Sequence, residues 1–210
     1  MLRNALLYLG GIFLALGVPL SQAQHDMSAL KPPPGTHVAL IEFADLECPM
    51  CARQNPTLKD ASAKYKIPLV RHDFPLGEKV GHIWSFQAAV NARWFDTQKK
   101  GLGNDYRDAV FANQMSIETK DDLQSFTQKF AQQHGIQLPF VMDPQGKLAA
   151  DVKADQALGD RLGVHQTPTV WIVTDRSGGA PPYVEVTDYN KLYTMLDQVT
   201  AETAQTHARK

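Results

Sequence analysis

From His37 to Phe43 the chain reads His-Val-Ala-Leu-Ile-Glu-Phe, an apolar run of strand formers broken by one acid. A run this short predicts a buried strand. After Ala44-Asp45-Leu46-Glu47 the pattern becomes helical from Cys48 to about Tyr65, and Pro68 to Phe74 reads as a second strand stopped by Pro75. Strand, helix and strand in close succession form a unit with parallel strands and a right-handed crossover.

A helical region follows. Ile83, Phe86, Val90 and Trp94 recur at steps of three and four and mark one apolar face. Tyr106, Val110 and Phe111 predict a second helix ending near Asn113. Leu123, Phe126 and Phe130 predict a third, opened by the capping-box spacing of Thr119 and Asp122. Asp143-Pro144 resembles an N-cap with proline at the first helical position, for a helix carrying Leu148, Val152, Leu158 and Leu162 and stopping at Gly163. Thr169–Val173 and Tyr183–Val186 return to strand around a turn at 175–179, and Leu192, Met195, Leu196 and Val199 mark a last helix before a frayed tail at 205–210. The order is β-α-β, a helical insertion at 75–163, then β-β-α. The core falls at 37–74 and 164–204, an α/β class.

The first residues change the picture. Met1-Leu2-Arg3-Asn4, an apolar run from Ala5 to Leu20, and Ser21-Gln22-Ala23 have the three parts of a secretory signal peptide, with cleavage expected after Ala23. The apolar run is shorter than the ~20 residues that span a bilayer. Taking 23 residues from 210 leaves 187 with a net charge of −2, since Arg3 is the only charge lost. Residues 24–36, with Pro32-Pro33-Pro34-Gly35, read as an extended lead-in. A near-neutral chain without basic blocks excludes a nucleic-acid binder.

Export places the two cysteines in an oxidising compartment. They stand three positions apart, as Cys48-Pro49-Met50-Cys51. A disulfide closing four residues stabilises by only about 2 kcal/mol, against about 4.7 for a hundred-residue loop. This is a poor staple and a good reversible switch. With Cys48 at the N-cap and Pro49 at the first helical position, the Cys48 sulfur faces unpaired amides and the positive end of the helix dipole, which favour a thiolate. Cys51, one turn on, lies deeper on the same side. Cys48 therefore attacks and Cys51 resolves. A metal site needs about four ligands, and the seven histidines are scattered; His72, His82 and His165 are the ones a fold could gather. No metal or cofactor is expected. Trp84, Trp94 and Phe95 sit at helical spacing and read as core.

The stretch Ala39 to Phe43, the Cys48–Cys51 motif, and Thr167-Pro168-Thr169 entering a later strand together resemble the DsbA-like branch of the thioredoxin superfamily. The resemblance covers about residues 37–204 and implies a thioredoxin-like fold with a helical insertion. It implies that Pro168 is a cis-proline beside the disulfide, and that Thr167 before it resembles the isomerase-type members. It implies that Glu42 is the buried acid that helps deprotonate Cys51; an edge-facing strand glutamate is the alternative. Pro49, Met50, Thr167 and Pro168 would meet the substrate. Met50 replaces the DsbA histidine and carries no charge, and Glu47 adds a negative one, so the Cys48 pKa should exceed DsbA's ~3.5. The expected function is a periplasmic, monomeric disulfide oxidase weaker than DsbA, acting on exported proteins and re-oxidised by a membrane quinone-linked partner. A reductase or isomerase, a helper for one client pathway, and a metal-binding chaperone on the same fold are the alternatives.

Overall fold

The computed structural model describes residues 27–176 and 182–208; the expected signal peptide and positions 177–179 of the expected turn lie outside them. Four strands form one sheet in the order β2-β1-β3-β4. They are β1 (Val38–Ala44), β2 (Leu69–Asp73), β3 (Thr169–Thr174) and β4 (Tyr183–Glu185). β1 runs parallel to β2 and antiparallel to β3, which is antiparallel to β4. Six α-helices complete it: α1 (Pro49–Tyr65), α2 (Ser85–Gln98), α3 (Leu102–Asn113), α4 (Lys120–Gln133), α5 (Lys147–Leu162) and α6 (Leu192–Ala208).

Side chains alternate across a strand, and β1 divides accordingly. Val38 and Leu40 pack with Leu58 of α1 and Leu192 and Leu196 of α6. Ala39, Ile41 and Phe43 face the other way, toward Phe74, Trp171 and Leu162 of α5. Every residue of β1 is buried. This parity places Glu42, two residues after Leu40, on the face covered by α1.

α5 lies close on its side of the sheet. A Cβ on Gly159 would sit 2.5 Å from the Phe74 ring and 3.1 Å from the Phe43 ring. The helices α2, α3 and α5 are also tied to the end of β2 by buried charge. Arg107 meets Asp73 with two hydrogen bonds, 3.0 and 2.7 Å long. Arg93 donates to Asp73 at 2.8 Å and also to Asp155, which accepts from the Asp73 amide at 2.9 Å and faces His72 Nδ1 at 2.8 Å. Two guanidiniums balance two carboxylates, the arrangement that makes buried charge tolerable.

Several sequence expectations shift. Ile83 precedes α2 and is exposed, because the helix starts only at Ser85. α5 starts at Lys147 with Gly146 as N-cap, not at Asp143-Pro144. Asp143 still serves the helix start, accepting the Ala149 amide at 2.9 Å. The lead-in is partly ordered: Met27–Ala29 form a 3₁₀ turn and Leu30 is buried in the core. The last helix runs to Ala208, past the position expected to fray. The Thr119–Asp122 capping box and the stop at Gly163 form where the spacing put them. Among the described residues no helix is long and apolar enough to cross a membrane.

Candidate active site

Cys48 is the N-cap of α1, with φ −79° and ψ 120°, and Pro49 follows as the first helical residue. The extended N-cap leaves the first amides of α1 unpaired by backbone and directed at the sulfur. The Cys48 pKa is lowered to about 5. The largest cause is a hydrogen bond from Cys51, aided by Thr167 and the amides of Cys51 and Met50, against the opposing effect of burial. Cys51 is wholly buried, and its pKa is pushed far up by burial first and then by the bond to Cys48. One shared proton therefore sits on Cys51. Cys48 is 6 % exposed, beside the exposed Pro49 and Met50, so only its sulfur can meet a partner.

Glu42 lies on the central part of the sheet, between β2 and β3, and not at an edge. Its carboxylate is fully buried. Oε2 accepts from Arg71 Nε at 3.3 Å, while Oε1 has no hydrogen-bond partner among the described residues. Burial raises its pKa, opposed by Arg71. The guanidinium is shared: Nη2 donates to Asn55 Oδ1 at 2.6 Å and lies 3.0 Å from Asp108, which pairs with Lys59 at 2.6 Å. The Glu42 charge acts on Cys51, raising its pKa further. A buried acid of raised pKa thus acts electrostatically on a thiol that resists ionisation.

The Thr167–Pro168 peptide is cis. The Cys48 sulfur lies 3.2 Å from the Thr167 carbonyl oxygen, so the motif and this proline form one cluster although 119 residues separate Cys48 from Thr167.

A thioredoxin family model matches residues 34–188. The chain belongs to the thioredoxin family. Among solved structures it resembles α-DsbA1 of Wolbachia pipientis, with a TM-score of 0.63, 16% identity, and coverage of 83% of this chain and 91% of that one. The thiol-disulfide exchange protein α-DsbA2 of the same organism gives 0.61, 21%, 80% and 85%. A periplasmic thioredoxin-like protein of Salmonella enterica serovar Typhimurium gives 0.59, 18%, 80% and 84%. Among curated proteins no sequence matches. At these identities the likeness is one of fold, and that fold is DsbA-like.

Within this thioredoxin-family frame, several site residues escape a reading of the sequence. Asp45 is fully buried, and its carboxylate accepts from the Glu47 amide at 2.7 Å, the Leu76 amide at 2.6 Å and faces His82 Nδ1 at 2.8 Å. It thereby fixes the loop that delivers Cys48. Gln114, from the turn after α3, donates to the carbonyls of Leu46 at 2.8 Å and Cys48 at 3.1 Å, joining the insertion to the motif. Glu47 differs from expectation: its carboxylate accepts the amides of Trp84 and Ser85 at the start of α2. Its charge is thus matched by that helix end rather than aimed at Cys48. His72 and His82 bond separate carboxylates and His165 is exposed, so the three histidines do not converge.

The low Cys48 pKa has a direct consequence. The rate of alkylation of the reduced protein should rise with pH to a plateau just above pH 5. An ordinary thiol keeps gaining rate toward pH 9. Because the folded value lies below the unfolded 9.0, the ionised sulfur stabilises the reduced fold fully above pH 9. That contribution shrinks as pH falls and vanishes below about 5. Urea unfolding of reduced protein against Cys48→Ser, at several pH values, measures it.

Proposed function

We propose that this protein is an exported thiol–disulfide oxidoreductase, acting most readily as a disulfide oxidase weaker than DsbA. The observation that carries the reading is the contrast within one motif: a Cys48 sulfur with pKa about 5 over a buried Cys51 that holds its proton. The signal-like N-terminus supports export, as does the periplasmic description of the Salmonella protein of the same fold.

In the oxidising direction a substrate thiolate attacks the Cys48 sulfur of the Cys48–Cys51 disulfide. The S–S bond breaks, and Cys51 leaves and takes a proton, with Glu42 as the donor at hand. A second substrate thiolate then attacks the substrate sulfur of the mixed disulfide, and Cys48 departs as a stable thiolate. Two electrons pass from substrate to the motif, and a membrane quinone-linked partner would remove them. Pro49, Met50, Thr167 and Pro168 would hold the substrate chain at the point of attack. In the opposite direction the same atoms reduce or isomerise disulfides. Threonine at 167, before the cis-proline, and the neutral Met50 favour that use.

Equilibration with glutathione sets direction. A thiolate less stabilised than DsbA's makes the reduced form less favoured, so the expected potential lies between DsbA's ~ −120 mV and thioredoxin's ~ −270 mV. A value as oxidising as DsbA's ~ −120 mV would contradict the weaker-oxidant reading, and one near thioredoxin's ~ −270 mV would make the protein a reductant.

A further inference from the structure

At the end of the sheet, three side chains from three separate segments converge. His37 precedes β1, Asp175 follows β3, and His207 lies in the last turn of α6. His37 Nδ1 is 2.7 Å from Asp175 Oδ2, and His207 Nε2 is 2.9 Å from Asp175 Oδ1. The two imidazole rings lie 4.0 Å apart between centroids. All three donor atoms fall within 4.8 Å of one another. The backbones are fixed as well, since the Asp175 amide donates to the His37 carbonyl at 3.1 Å.

From this geometry we infer that His37, Asp175 and His207 form a binding site for one zinc-class divalent cation, remote from the cysteine motif. Two imidazoles and one carboxylate suit a borderline ion such as zinc, whereas magnesium and calcium prefer an all-oxygen shell. Tetrahedral zinc with ligands at about 2.1 Å places donor atoms about 3.4 Å apart. The two short contacts must open by roughly half an ångström or a little more to admit an ion at such a site. The His37 side chain is 63% exposed and that of Asp175 34%, which gives room to do so and leaves a fourth position toward solvent. The neighbouring cation does not oppose the ion, because Arg176 is paired with Glu202. Binding would clamp the start of β1, the end of β3 and the terminal helix together.

The same contacts also describe a plain hydrogen-bonded cluster, which would not take up metal. Zinc competition against a chromophoric chelator separates the two. The protein should be untagged and carry Cys48→Ala and Cys51→Ala, so that the dithiol cannot serve as the ligand. The expected result is one zinc per chain and a rise in melting temperature that chelation reverses. Each of His37→Ala, Asp175→Asn and His207→Gln should weaken binding by at least the roughly 10–100-fold that even outer-shell changes cost. Circular dichroism shows whether each variant is folded. Zinc uptake no tighter than by the triple variant overturns the site. So does binding that survives loss of any one of the three side chains.

Discussion

Replacing Cys48 with serine should remove insulin reduction in the presence of dithiothreitol down to the rate of dithiothreitol alone. The loss is on the order of 10³-fold or more, the scale of removing a nucleophile outright. Cys51→Ser should behave differently. The attacking sulfur remains, with its ionisation still favoured by Thr167 and the amides at positions 50 and 51. A mixed disulfide with substrate should therefore form and persist, because no buried sulfur is left to displace it. Non-reducing gels or mass spectrometry of the trapped adduct distinguish the two variants. An adduct on Cys51 in the Cys48→Ser protein, or full activity there, would reverse the assigned roles. Cys51, wholly buried and holding its proton, has no access to a substrate.

The second large effect belongs to Glu42. Glu42→Gln should slow the resolving step by about 10²-fold, the lower end of what a positioned acid or base contributes. The reason is the pairing of a Cys51 thiol that resists ionisation with a buried carboxylate whose charge acts on it. Alkylation of Cys48 should change little, so attack and resolution come apart. The pH dependence carries the sign. Glu42 has a raised pKa, so in the native protein resolution should accelerate as pH rises through that value and Glu42 becomes a base. In Glu42→Gln it should climb with hydroxide instead and show no such step. Folding should survive, since burial penalises the Glu42 carboxylate and Arg71 keeps Asn55 and Asp108 as partners. Stability moves with the same sign: a raised carboxyl pKa contributes fully below its unfolded value of 4.5 and is lost as pH rises through the folded one. Unchanged resolution kinetics in Glu42→Gln would leave the buried acid a structural charge only.

The site residues that the sequence does not mark share a cause. Asp45 and Gln114 act through amides and carbonyls of residues distant in sequence, and nothing in their own neighbourhoods marks them. Arg71 lies in an unremarkable strand; what gives it a role is the register that sets it opposite Glu42. Glu47 shows the reverse error. Adjacency in sequence suggested that its charge would act on Cys48, yet the chain turns there and delivers the carboxylate to another helix. Helix starts are illegible in the sequence where glycine or a plain loop residue caps them, as at Gly146 and Trp84, because no side-chain oxygen announces the start.

The sequence by itself determined the order of strands and helices, the cysteine spacing with proline at the helix start, the Thr119 capping box and the stop at Gly163. Each is a local matter: apolar periodicity, a ring that fixes φ, a side chain reaching its own turn, a residue free to take positive φ. Only the tertiary structure decided that Glu42 lies beneath α1, that Thr167 meets Cys48, and that His37, Asp175 and His207 converge. These depend on strand pairing and helix docking between segments far apart along the chain. Ionisation follows them, because the free energy of a charge is set by what surrounds it in space, and neighbours in sequence do not supply that.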